Sequence, residues 1–173
     1  MTTALWLALA SAVAHGFSFT WSRELVRRAG GVQSKAAFYS LLACMVPAAA
    51  ITPVVGFAGV GKAPWLIVAM AGSAITSQFM LMAALRRAHA SFVVPAVGVK
   101  VFFVAALAAW VFDETYGPAV YAGAAGSVLA LFILNRARWE VSAAGLGFVL
   151  GAGFFYAIND VLVLSMLRAG YTP

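Results

Sequence analysis

Six apolar runs of 18 to 25 residues, at about 4–22, 36–58, 64–85, 92–112, 118–135 and 143–167, fill most of this 173-residue chain. About 20 residues rising ~1.5 Å each are needed to cross ~30 Å of hydrocarbon, so every run can span a bilayer as a helix. Of the 16 charged residues, only Lys100 and Asp160 fall inside a run. The connections are too short to hold a soluble domain. With 64% hydrophobic residues, 9% charged and a mean hydropathy of +0.98, a water-soluble fold would have almost no polar surface to present, so lipid is the expected solvent.

The net charge of +6 does not mark a nucleic-acid partner, because the basic residues are scattered in small groups among short loops instead of gathering on one face. Counted by side, the loops after runs 1, 3 and 5 hold Arg23, Arg27, Arg28, Lys35, Arg86, Arg87, Arg136 and Arg138, against Lys62 and Arg168 on the other side. That bias places the odd-numbered loops in the cytoplasm and the N-terminus outside. Cys44, the single cysteine, lies within the second run and reads as a packing residue, so neither a disulfide framework nor a thiolate metal site is expected. No basic residue precedes the first run, which therefore reads as a span and not as a cleaved leader.

Local signals refine the elements. Glu24 and Arg28 are i,i+4 neighbours, and Gly30-Gly31 permit a left-handed cap, so the first helix should continue to about Ala29. Pro47 and Pro53 should bend the second span. Pro118 suits the first turn of the fifth. Gly147-xxx-Gly151 in run 6 and Ala122, Gly126 and Ala130 in run 5 form small-residue faces for close helix approach. Asp113 and Glu114, just ahead of run 5, read as carboxylates at a helix N-terminus.

The segment 145–173 is a faint second copy of 5–33 at an offset of 140, with Arg168-Ala169-Gly170 falling on Arg28-Ala29-Gly30. Arg23, Glu24 and Arg27 of the first copy become Val163, Leu164 and Leu167 in the second. A five-span unit repeated in series enters the membrane from the opposite side, and its equivalent loop then lies where basic residues are disfavoured. The loss of charge is what inversion predicts.

The stretch Ala84-Leu85-Arg86-Arg87-Ala88-His89-Ala90-Ser91-Phe92-Val93-Val94-Pro95, followed by Glu114, Pro118 and Gly123, resembles the EamA-like branch of the drug/metabolite transporter (DMT) superfamily. The likeness covers residues 1–136 as one five-helix repeat, with 143–173 similar to the start of the next. It implies an all-α integral membrane protein of about six transmembrane helices. These would be one EamA-type repeat plus the first helix of a second, inverted repeat, an apparent fragment of a ten-helix transporter. It also implies a secondary transporter, in the export direction, of small organic metabolites across the bacterial cell (inner) membrane. The missing second repeat, or a homodimer, would complete the path. The rival reading is a non-transporting membrane assembly or lipid-handling subunit, and an intramembrane enzyme is a distant third. No HExxH, GxSxG or P-loop is present, so neither catalysis, nor a cofactor or metal, nor ATP drive is expected.

Polar residues at membrane depth are the candidates for substrate or coupling roles. Lys100 lies about 12 Å into its span, farther than its stem comfortably reaches, so it must face protein or water. Asp160, beside Asn159, is the natural partner; alone it would serve proton coupling, and paired it would be a structural tie. His15 could shuttle protons or simply hydrogen-bond within the packing. Gln78, with Ser73 and Ser77, gives run 3 a polar stripe that could bind solute or join helices.

Overall fold

Helix begins where the sequence supplies a start and ends where it supplies a stop. The computed structural model describes residues 17, 20–28, 30, 32, 34–42, 64–88, 90–135 and 142–169. Two short helical stretches come first, α1 (20–28) and α2 (34–42). They are followed by α3 (Pro64–Arg87), α4 (Ala90–Val97), α5 (Lys100–Phe112), α6 (Pro118–Asn135) and α7 (Ala143–Arg168). α1 stops as expected: Gly30 takes φ +65, and its N–H donates to the Arg27 carbonyl at 3.3 Å. Proline occupies the first position of both α3 and α6, where no intrahelical N–H is needed. Ser142 caps α7, its hydroxyl accepting from the Gly145 N–H at 3.1 Å. At the other end of α3, Arg86 and Arg87 fill the last turn, where cations oppose the helix dipole. The Arg87 guanidinium also donates to the Ala83 carbonyl.

The third, fifth and sixth runs appear as single helices close to their expected limits. The fourth does not. It divides into α4 and α5 at Gly98-Val99, where the Val99, Val101 and Phe102 N–H groups donate three residues back, to Ala96, Gly98 and Val99. This is a 3₁₀ step inside one apolar path. Pro95 supplies no N–H to the turn before it, and Gly98 adds backbone freedom, so the α-helical ladder is weakest here. Pro47, Pro53 and Cys44 lie outside the described residues.

α7 lies at the centre of the packing, against α3 on one side and α4 and α5 on the other. Contacts fix the directions. Asn159 meets Met70, and Arg87 lies over the Phe148 ring at 4.5 Å, so α3 and α7 are antiparallel. Lys100 meets Asp160, and Arg168 lies over the Phe112 ring at 4.2 Å, so α5 and α7 run parallel. The buried face of α7 is Gly145, Val149, Ala152, Gly153, Ala157 and Val161, a stripe at three- and four-residue spacing dominated by small side chains. The main cluster joins it to Leu81, Met82, Ala84 and Leu85 of α3, to Val93, Ala96 and Val97 of α4, and to Val26, Ala36 and Ala37 near the chain start.

The small-residue faces are used unevenly. A Cβ at Gly151 would run into Met80 Sδ, and one at Gly153 would touch the Lys100 and Val97 backbones at 3.7 Å. Gly147 and Gly126 have nothing within 4 Å, so the close approach centres on Gly151 and Gly153 instead of the expected Gly147 pair. α6 is peripheral, and most of its described side chains point outward.

The outer surface carries Phe17, Trp21, Trp65, Val68, Ile75, Trp110, Leu129 and Ile133 in exposed positions. Such an extent of apolar surface is stable only in a nonaqueous surrounding. By length and composition, α3 and α7 can each cross a membrane.

Candidate functional site

Consecutive residues on an α-helix point about 100° apart, and α7 uses that rotation to address two neighbours at once. Asn159 turns to α3, its amide donating to the Met70 carbonyl at 3.3 Å. Asp160 turns to α5, where its carboxylate accepts from Lys100 Nζ at 3.0 Å. Lys100 is the first residue of α5, immediately after the 3₁₀ step, and its backbone lies against Gly153. The absence of a side chain at Gly153 lets α7 approach that step, so the pair rests on a close backbone contact between a discontinuous span and a continuous one. Phe103 and Phe154 pack edge to face beside it, with centroids 5.5 Å apart. Counting ~1.5 Å per residue, Lys100 lies about 18 Å from the α5 end at Phe112 and about 15 Å from the α4 start at Ala90. That is near the middle of the apolar path formed by α4 and α5. Both side chains remain partly accessible.

The other sequence candidates scatter. Ser73 and Ser77 are buried, but their hydroxyls donate to the carbonyls of Met70 and Ala74 in their own helix, each at 2.9 Å. They satisfy themselves and do not form an interhelical stripe. Gln78 accepts from Ser40 Oγ at 3.5 Å, a long contact joining α2 to α3 away from the ion pair. His15 lies outside the described residues. The structure thus brings together Lys100, Asp160 and, one position along, Asn159.

A second cluster was not foreseen as one. Glu114 does not act at the start of α6. Its carboxylate accepts from Tyr116 Oη at 2.7 Å and from the Arg168 guanidinium, which also stacks over Phe112. The turn that presents it is set by Asp113, whose φ of 55 ends α5 in the left-handed region that aspartate tolerates. The Tyr116 hydroxyl, and then Arg168, hold the Glu114 carboxyl below its usual range, and the same contact pushes the Tyr116 phenol up. Residues 112, 114, 116 and 168 therefore share one end of the bundle.

At the opposite end, the last turn of α3 meets α1 around a cleft of about 600 Å³ lined by Thr20, Arg23, Glu24, Val26, Arg27, Leu85 and Arg86. Glu24 is gripped by Arg27 at 2.7 and 2.8 Å and by Arg28 at 2.7 Å, which lowers its carboxyl to about 2. Basic residues that follow runs 1 and 3 in the sequence thus gather at one end.

Residues 2–136 match the model of the EamA-like transporter family. No curated protein and no solved structure matches the chain. The match includes Lys100 and ends before α7, which contributes Asn159, Asp160 and Arg168.

Proposed function

The chain belongs to the EamA-like transporter family of membrane proteins, and from that premise we propose that it exports small organic metabolites across the inner membrane of a bacterium as a multi-pass protein with its N-terminus outside. The observation that carries this reading is the Lys100–Asp160 pair, held at mid-depth where one span is broken by a 3₁₀ step. An interrupted helix beside ionisable groups is the arrangement in which transporters bind solute near the bilayer midplane. Lys100 and Asp160 hold each other in the arrangement described. A solute that inserts between them supplies replacement contacts, and a state without solute re-forms the pair. That difference is what couples binding to the rocking of one half against the other.

Residues 1–136 serve as one five-helix repeat in this reading, and α7 opens a second, inverted one within 143–173. The remaining wall of the path comes from the rest of that repeat or from a second copy of the chain. Support comes from the family match ending before α7, and from the way α7 nonetheless packs into the centre of the first repeat.

Counterflow of a panel of radiolabelled metabolites in proteoliposomes tests the proposal. Saturable exchange of at least one organic solute is expected, reduced more than tenfold by Lys100→Met or Asp160→Asn in protein that still inserts and folds. No exchange across the panel would favour a membrane assembly or lipid-handling role. Exchange indifferent to both substitutions would remove the pair from the path.

A further inference from the structure

The cleft between α1 and the end of α3 has no part in the path proposed above, and its chemistry is different. Among the described residues, Arg23, Arg27 and Arg86 line it against the one carboxylate of Glu24. That carboxylate is already saturated, with both oxygens taken by Arg27 and one shared with Arg28. Arg23 has no polar partner among the described residues. Val26 and Leu85, both buried, supply an apolar floor. A volume of about 600 Å³ falls within the roughly 300–1,000 Å³ of ligand sites.

The position of the cleft along the helix axis identifies the ligand further. Trp21 is strongly exposed on α1 two residues before Arg23, and Phe17, six residues before Arg23, is strongly exposed as well. Exposed aromatic rings beside an apolar run mark the level where hydrocarbon gives way to headgroups. Arginines just beyond that level meet lipid phosphates, to which a guanidinium can donate two parallel hydrogen bonds. We propose that this cleft is a binding site for an anionic phospholipid, with the phosphodiester on Arg23, Arg27 and Arg86. A zwitterionic lipid is disfavoured because its ammonium brings a further cation among the arginines, and the Glu24 carboxylate, the only one among the described lining residues, is occupied. The site stands whether or not the chain transports a metabolite, since it rests on the cleft and on its level in the membrane.

The test reconstitutes the protein in phosphatidylcholine vesicles containing 20 mol% phosphatidylglycerol, re-extracts it and counts retained lipids by native mass spectrometry. Phosphatidylglycerol should be enriched more than tenfold over its share of the vesicle. The Arg23→Gln/Arg27→Gln double variant should lower that enrichment by roughly 25-fold, about fivefold per basic residue at an anionic surface. Glu24→Gln should raise it, because Arg27 and Arg28 are released, and this opposite sign separates the site from a general loss of folding. Arg168→Gln, at the far end of the bundle, should change nothing. Equal retention of the two lipids, an undiminished signal in the double variant, no rise with Glu24→Gln, or an equal loss with Arg168→Gln would each overturn the proposal. Displacement of the lipid by 10 mM inorganic phosphate would assign the cleft to a free anion and overturn it as well.

Discussion

Two ion pairs join α7 to the segment between α4 and α6, and by accessible area they are nearly alike. The side chains of Lys100 and Asp160 are 36% and 46% exposed, and those of Arg168 and Glu114 are 44% and 34% exposed. What differs is the surrounding that the exposed area meets. Arg168 and Glu114 sit where α5 and α7 end, among groups that water and salt can reach, and such pairs contribute little. Lys100 and Asp160 sit about 12 to 18 Å inward from those ends. There, each charge left alone would cost about 3 kcal/mol on insertion scales. The same chemistry is therefore a surface fastening in one place and a strong mutual dependence in the other. Supporting contacts follow the same division: the outer pair is buttressed by Tyr116 and Phe112, and the deep pair by the close backbone approach at Gly153.

The largest expected effect comes from breaking the deep pair on one side only. Lys100→Met or Asp160→Asn should each destabilise the protein by about 3 kcal/mol in bilayer unfolding measurements, because each leaves a partner without compensation at depth. A loss no larger than that of Arg168→Gln would show that water reaches both pairs equally.

Next in size is the seat of the deep pair. A Cβ at Gly153 meets the Lys100 and Val97 backbones at ordinary contact distance, so Gly153→Ala should be nearly neutral. Gly153→Leu should cost about 1–3 kcal/mol through overpacking, and should lower flux by moving α7 off the 3₁₀ step. Equal tolerance of alanine and leucine would mean that α7 does not approach α4 and α5 as described.

The smallest effect belongs to the ends and appears as pH dependence. Glu114 and Glu24 both have carboxyls lowered from the ordinary 4.5, Glu24 to about 2. A lowered folded-state value means stability that is present above about pH 4.5 and lost as pH falls toward the folded value. The thermal midpoint should therefore decline modestly on acidification below pH 4.5, less so in high salt. A Glu24→Gln/Glu114→Gln variant should show a flatter profile. An unchanged profile in that variant would remove both end clusters from the acid response.

How much of this was legible in the sequence depends on range and period. The meeting of Lys100 and Asp160 could be expected because they are the only charges within apolar runs, so each had a single ionic candidate. The limits of α6 and α7 could be read because Pro118 and Ser142 are local start signals. The break at Gly98-Val99 was hidden, since a proline and a glycine within a largely apolar run leave its hydropathy high. Local rules favour Glu114 acting on the helix that follows it. Its partner lies 54 positions away, and only the parallel course of α5 and α7 brings Arg168 to it. Among the glycines, spacing alone favoured the Gly147 and Gly151 pair, whereas contact depends on which face meets a neighbour, and that proved to be Gly151 and Gly153.

The central claim, that depth and not exposed area separates the two pairs, is tested most directly by parallel double-mutant cycles in one bilayer. The cycle of Lys100→Met and Asp160→Asn should give a coupling of about 1–3 kcal/mol, with the double variant recovering much of what either single change loses. The cycle of Arg168→Gln and Glu114→Gln should give a smaller coupling that fades with added salt. A deep coupling of zero, or one no larger than the outer coupling, would contradict the account.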